Sequence, residues 1–364
     1  MRLTVVMALS VGGLLVYGVT SLFKPARRET VTPAAAAERV RREPANPAAW
    51  CDLAEAFARE GDYEKARRSF ARARELGPHI PPVWVRSMNF HVEQGEAEQA
   101  LEMSARALSL TPDYDAVIFG TYDLLGLSSG RVMARLSFEG GAARRYFQHL
   151  METGRVEDAK GAWKTLRELD LADGRLAEGY VNWLLAQRQA EEAVRVWSEH
   201  LGKDAGDYPG KNRIFNGGFE RAFSASRLDW SLGAVEGIVA ERDSAAAYSG
   251  KHSFRLTFPG TQNFHYRGLV QVALVSPGRW RLRAMAKSEG ITTISGPHLH
   301  VLGEGVDART ADLLGTNGWT ALTAEFTVPP GVHAVSVVLC REPSHKFDSK
   351  IRGTYWVDDV WLGR

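Results

Sequence analysis

The stretch Phe215-Asn216-Gly217-Gly218-Phe219-Glu220 divides the chain into two kinds of sequence. The residues before it are helical and repetitive in pattern. Those after it alternate over short runs and are rich in Gly, Trp and His. Two adjacent glycines allow backbone conformations closed to other residues, which suits a sharp turn or bulge at the entrance to a sheet. Glu220 sets a carboxylate among peptide carbonyls, where a hard cation such as calcium would find oxygen ligands. A plain turn with a solvated glutamate has the same sequence.

Downstream, runs at 252–258, 266–275, 280–287, 298–302, 322–328, 334–341 and 355–362 alternate as strands do. Tyr248-Ser249-Gly250-Lys251, Ser276-Pro277-Gly278, Thr316-Asn317-Gly318 and Pro329-Pro330-Gly331 punctuate them as turns. Such a density of short strands predicts an all-β jelly-roll sandwich. Strand alternation then sorts faces. Tyr266, Gly268, Val270, Val272 and Leu274 form one set, and His265, Arg267, Leu269, Gln271 and Ala273 the wetter one. Trp280, Leu282, Ala284 and Ala286 oppose Arg281, Arg283, Met285 and Lys287, while His298 and His300 share a side. The candidate ligand groove is therefore lined by His265, Arg267, Gln271, Arg283, His298 and His300. Arg341, in the charged 340–350 segment, closes its edge. The competing reading is an ordinary solvated sheet face. Trp280, Trp356 and Trp361 read as core. His298 and His300 also pass a first test for zinc, with a third ligand required from His265 or His345.

Asn216-Gly217-Gly218-Phe219-Glu220, Trp230, Ser249-Gly250-Lys251, Pro277-Gly278, Trp319 and Trp356-Val357-Asp358-Asp359-Val360 follow one another in that order. The ordered set resembles the jelly-roll carbohydrate-binding modules of polysaccharide-degrading enzymes and the broader galactose-binding-like fold. The resemblance spans about 211–364. It implies a structural calcium tying the N-terminal Glu segment to the last strand, with Glu220, the carbonyl near Lys251, and Asp358 or Asp359 as ligands.

Upstream, Trp50, Leu53, Ala54, Phe57, Gly61, Ala66, Phe70, Ala73 and Pro78 return 34 residues later as Trp84, Ser87, Met88, His91, Gly95, Ala100, Ser104, Ala107 and Pro112. This resembles the tetratricopeptide repeat family, in which paired helices touch at small residues and aromatic residues fill the gap. Gly154, Ala159 and Trp163 resume the register, with Ala193 and Trp197 again 34 further on. Ala100 to Ala159 falls nine residues short of two repeats, so something is missing or bent near 127–142. About four units are expected within 45–203, offering a surface to a protein partner. The basic-and-Asn clamp that some members use for peptide carboxylates is represented only by Asn89.

Leu3 to Phe23 is uncharged and about 30 Å long as a helix, which predicts a membrane anchor over 1–24. The prolines and alanines of 25–44 read as a linker, as do residues 204–212 ahead of the sandwich at 213–364. Lys24, Arg27 and Arg28 outnumber Arg2, which by the positive-inside rule keeps the bulk of the chain inside. The functional reading instead places it on the periplasmic side of a bacterial inner membrane, as a single-pass protein. A net charge of +2 offers no broad attraction for nucleic acid, and two cysteines make no disulfide framework. Glycoside cleavage needs two carboxylates facing across a bond; Glu304 and Asp307 lie in a Gly-rich loop, and nothing pairs them with a groove. The expectation is a non-catalytic adaptor, its repeats binding a protein and its sandwich a polysaccharide, in exopolysaccharide or envelope assembly. A pure protein scaffold and a cryptic polysaccharide hydrolase are the alternatives.

Overall fold

The computed structural model describes residues 31–347 and 349–364. The anchor expected at Leu3–Phe23 lies outside them, and no helix among the described residues is long and apolar enough to cross a membrane. The chain forms two compact units that divide between Leu171 and Ala172.

The first unit begins with α1 (Pro33–Arg42), in a segment expected to be a linker. Its alanines are strong helix formers, Thr32 caps Ala35 at 3.3 Å, and Ala36 and Val40 are buried four residues apart. Helical pairs come next: α2 (Pro47–Arg59) with α3 (Tyr63–Leu76), α4 (Pro81–Glu93) with α5 (Ala97–Leu110), α6 (Asp115–Leu124) with α7 (Ser129–Leu136), and α8 (Gly140–Glu152) with α9 (Val156–Glu168). Ala66 and Ala73 are fully buried, and Phe70 meets Phe90 of the next pair at 5.3 Å. The indole of Trp50 donates to the Pro44 carbonyl at 2.9 Å, and that of Trp84 donates to Pro78 at 3.1 Å. The register break has a simple origin. Helix α6 has 10 residues where α4 has 13, and α7 has 8 where α5 has 14, which accounts for the nine missing residues. The third unit is thus shortened.

The second unit starts with a fifth pair, α10 (Gly174–Ala186) and α11 (Ala190–Leu201), one more than expected. It is fastened to the sandwich. Asn182 accepts from the Arg227 N–H and donates to the Ala225 carbonyl, both at 2.8 Å, and Trp197 meets Phe215 edge-on at 5.7 Å. The expected linker at 204–212 is accordingly no free tether. Tyr208 is buried, and Asn212 bonds to Val360 and Leu362 of the last strand.

Ten strands form two antiparallel five-stranded sheets: β1 (Ser231–Leu232), β4 (Tyr266–Leu274), β9 (Ala334–Arg341), β6 (His298–Gly303) and β7 (Val306–Arg309), facing β2 (Val239–Asp243), β3 (Ser253–Pro259), β10 (Arg352–Gly363), β5 (Gly278–Ile291) and β8 (Gly315–Val328), each in spatial order. Leu256, Leu269, Leu282, Leu299, Leu339 and Val357 meet between them, all fully buried. The opening hexapeptide works differently from expectation. Asn216 and Phe219, not the glycines, take positive φ of 52° and 55°. Gly217 is needed for close approach, because a Cβ there would lie 2.1 Å from the Val360 carbonyl oxygen. Phe219 then stacks on Trp230 at 5.4 Å inside the core.

Two bulges decide which side chains face out. Between Tyr266 and Leu269 the β4 strand gains a residue relative to β9. Beyond that point Leu269, Gln271 and Ala273 turn inward, reversing the expected faces. A second bulge, between Asp358 and Trp361 of β10, contains Asp359 at φ 48°.

Candidate functional site

Trp356 and Trp361 are five positions apart, so a regular strand would send them to opposite faces. The β10 bulge brings both to the outer face of the second sheet, while Tyr355, Val357, Val360 and Leu362 fill the core. Across the ladder, Lys287 of β5 opposes Trp356 and sits 4.7 Å from its ring centroid. Arg283 opposes Trp361 at 5.7 Å. Such contacts contribute about 0.5–2 kcal/mol each and hold the rings in place. Gly363 completes the arrangement: a Cβ there would come within 2.2 Å of the Trp361 ring, so the indole lies over bare backbone. Trp361 remains half-buried.

A strap from the β2–β3 connection borders this face. Tyr248 reaches Trp319 of β8 at 5.9 Å, although β10 and β5 stand between β3 and β8. Three carboxylates pin the strap. Asp243 accepts from Ala245 N–H at 3.1 Å and from the Trp356 indole at 2.7 Å. Asp358 Oδ2 accepts from the Tyr248 and Ser249 N–H groups at 2.8 and 3.0 Å. Glu220 Oε1 accepts from Lys251 and His252 N–H at 2.7 and 2.9 Å. Gly250 between them has φ +65°, and a Cβ there would strike Glu220 Oε1 at 2.3 Å. Burial pushes the Asp358 carboxyl up, against the amide donors that pull it down. At Asp243 and Glu220 burial also pushes upward, but the donors prevail and both carboxyls sit below the usual range.

Of the residues expected to bind calcium, Glu220 and Asp358 are two of these pins. Lys251 presents its N–H, not its carbonyl, to Glu220. Asp359 turns away to Arg283 at 3.3 Å. Amide protons occupy Glu220 Oε1 and Asp358 Oδ2, so a calcium ion would have to displace protein hydrogen bonds to reach those two oxygens.

The expected ligand groove is not one surface either. Strands β4 and β6 belong to one sheet and β5 to the other, so Arg283 lies opposite the rest. Gln271 is fully buried, and its amide brackets Phe215, accepting at 2.8 Å and donating at 2.9 Å. Arg341 is also fully buried and donates to Asn263, the Phe264 carbonyl and the Ser295 carbonyl, tying loops together. Desolvation holds its pKa below that of a free guanidinium. His265 and Arg267 stay exposed and share Glu342 at 3.3 and 3.2 Å. His298 and His300 do lie together, on the outer side of the first sheet between Val338 and Cys340. Asp307 faces His300 at 2.6 Å, and Glu304 stands exposed in a turn. Of the tryptophans, Trp280 lies in the core between the sheets, whereas Trp356, buried as expected, and Trp361, half-buried, lie outside that core. Their one signal in the sequence is the Asp358-Asp359 pair, since Asp tolerates the left-handed conformation that a bulge requires.

In the helical part, the same helix ending recurs. Asp62, Glu96, Arg155 and Gln189 each donate their N–H five residues back, to Phe57, His91, Leu150 and Leu184, at 2.8–3.0 Å. Residues 47–80 match the tetratricopeptide repeat family. In tetratricopeptide arrays, stacked pairs serve protein interaction. None of the curated proteins matches the chain. Solved structures similar to it include a family 16 carbohydrate-binding module at 19% identity and TM-score 0.31, covering 42% of this chain and 100% of that one. TmCBM61, solved with β-1,4-galactotriose, shows 17% identity and TM-score 0.30 over 43% of this chain and 99% of that one. The CBM22-1 xylan-binding domain of Paenibacillus barcinonensis Xyn10C shows 16% identity and TM-score 0.28, covering 40% and 90%.

Proposed function

We propose that the chain is a non-catalytic adaptor whose tetratricopeptide pairs hold a protein partner and whose second sheet binds a glycan on its outer face. The observation that carries this reading is the Trp361 indole lying over Gly363 beside Arg283, an apolar plane next to a hydrogen-bond donor. A pyranose ring offers the matching combination of apolar C–H face and equatorial hydroxyls. Three cations on this face are matched by carboxylates: Arg281 with Glu325 at 2.6 Å, Arg283 with Asp359 at 3.3 Å, and Lys287 with Glu289 at 3.0 Å. Donors and acceptors in balance favour a neutral saccharide over a polyanion. Residues 3–23 would tether the chain to a bacterial inner membrane with the rest on the periplasmic side, where it would serve exopolysaccharide or envelope assembly.

Electrophoresis of the chain through gels containing neutral or acidic polysaccharides tests the glycan reading. Retardation by a neutral polymer is expected, and Trp361→Ala should weaken it about tenfold, roughly 1.4 kcal/mol. Unchanged migration in every polymer would leave the pure protein scaffold. Release of reducing ends during incubation would instead point to a hydrolase.

A further inference from the structure

We infer that His298, His300 and Cys340 form a binding site for a zinc-like divalent transition metal on the outer side of the first sheet. One donor atom on each lies within 4.8 Å of those on the other two. The β6–β9 register makes this possible: His298 sits directly opposite Cys340, and His300 is two residues further along the same face. Neither His265 nor His345 supplies the third donor. His265 is committed to Glu342 at 3.3 Å, and His345 is exposed.

The ring nitrogens point to a ligand independently of that spacing. His298 is 1% exposed, yet its Nε2 has no hydrogen-bond partner, and neither does Nδ1 of His300. On each ring the other nitrogen faces an acceptor. His298 Nδ1 lies 3.4 Å from the Gly296 carbonyl and 3.2 Å from Asp312, and His300 Nε2 lies 2.6 Å from Asp307. A proton held on those nitrogens leaves a lone pair on the two unpartnered ones, which is the tautomer a metal takes. The Asp307 carboxylate behind His300 orients that ring as outer partners orient zinc-bound histidines, and Asp312 stands close behind His298. Two imidazoles and a thiolate are a borderline-soft set that suits zinc and not calcium or magnesium. Bonds of about 2.0–2.3 Å place tetrahedral ligand atoms about 3.3–3.8 Å apart, so closure requires shifts of about 1 Å. Three protein donors leave one position for water or another ligand. The ion would also clamp β6 to β9.

The test uses the full chain, purified under reducing conditions and stripped with a chelator, then titrated with zinc and separately with cobalt(II). Uptake of one ion per chain is expected, with a thiolate-to-cobalt charge-transfer band and a zinc-dependent rise in melting temperature. Cys340→Ser should abolish the band, whereas Cys51→Ser, at a buried cysteine of the helical unit, should keep it. Asp307 is 81% exposed, so Asp307→Asn avoids disturbing the core and should weaken zinc binding about 10–100-fold. A wild-type chain without the band, a band that survives Cys340→Ser, or an unaltered Asp307→Asn affinity would each overturn the assignment.

Discussion

The helical pairs and the sandwich solve the same problem, how to aim side chains, by different means. In the helical pairs the aiming device is local. A helix ends in a left-handed residue, the next N–H reaches back five positions, and the pattern recurs at Gly61, Gly95 and Gly154. In the sandwich the device is remote. Gly217 exists for Val360, Gly250 for Glu220, and the tryptophans of β10 face outward because one residue bulges from the ladder with β5. Local devices repeat and so can be read from spacing. Remote ones occur once each and leave no period.

The sharpest way to break this contrast is at Gly217. Gly217→Ala should cost about 3 kcal/mol, because its Cβ would collide with backbone, which cannot swing away as a side chain can. Denaturant unfolding of that variant measures it, and a near-neutral result would mean that the approach to Val360 is dispensable.

A smaller and paired effect belongs to the repeats. Gly154 has φ 70°, and 34 residues later Arg188 holds the equivalent position at φ 58°. Gly154→Ala should destabilise by about 1–2 kcal/mol, whereas Arg188→Gly should stabilise by up to about 1 kcal/mol. If both substitutions destabilise, the two turns are not the same local device.

The strap offers a pH test. The Asp243 carboxyl lies below its ordinary value because the Trp356 indole, the Ala245 amide and Arg255 outweigh its burial. Its contribution to stability is therefore present above the unfolded pKa of about 3.9 and is lost as pH falls through the folded value. Thermal melts from about pH 6 downward through the unfolded value of about 3.9 should show a shallower acid slope in Asp243→Asn than in the wild type. An identical slope would detach Asp243 from the strap.

The smallest effect expected is none. Calcium added back to the chelated chain should leave its melting temperature unchanged, since amide donors already hold Glu220 and Asp358. A clear rise would reinstate the cation at the strap.

Much of the fold was legible in the sequence. Residues spaced 34 apart announced paired helices, because each pair buries the same small and aromatic positions. Alternation announced strands, and the Trp280 face of β5 came out as read. The alanine run at 34–37 misled, since its composition fits a linker and its helix depends on burying Ala36 and Val40. The candidate site was less legible. Gln271 and Arg341 looked like ligand groups by residue type, and each proved to be spent on backbone inside the protein.

The amino-acid order by itself determined that helical pairs precede a sandwich, since both patterns are short-range periodicities. Only the tertiary structure decided which side chains share a face. Sheet membership separates Arg283 from His300, one inserted residue in β4 or β10 inverts everything beyond it, and cross-strand register alone puts Cys340 opposite His298. A strand's facing has a period of two, so a one-residue slip leaves composition untouched and exchanges inside for outside.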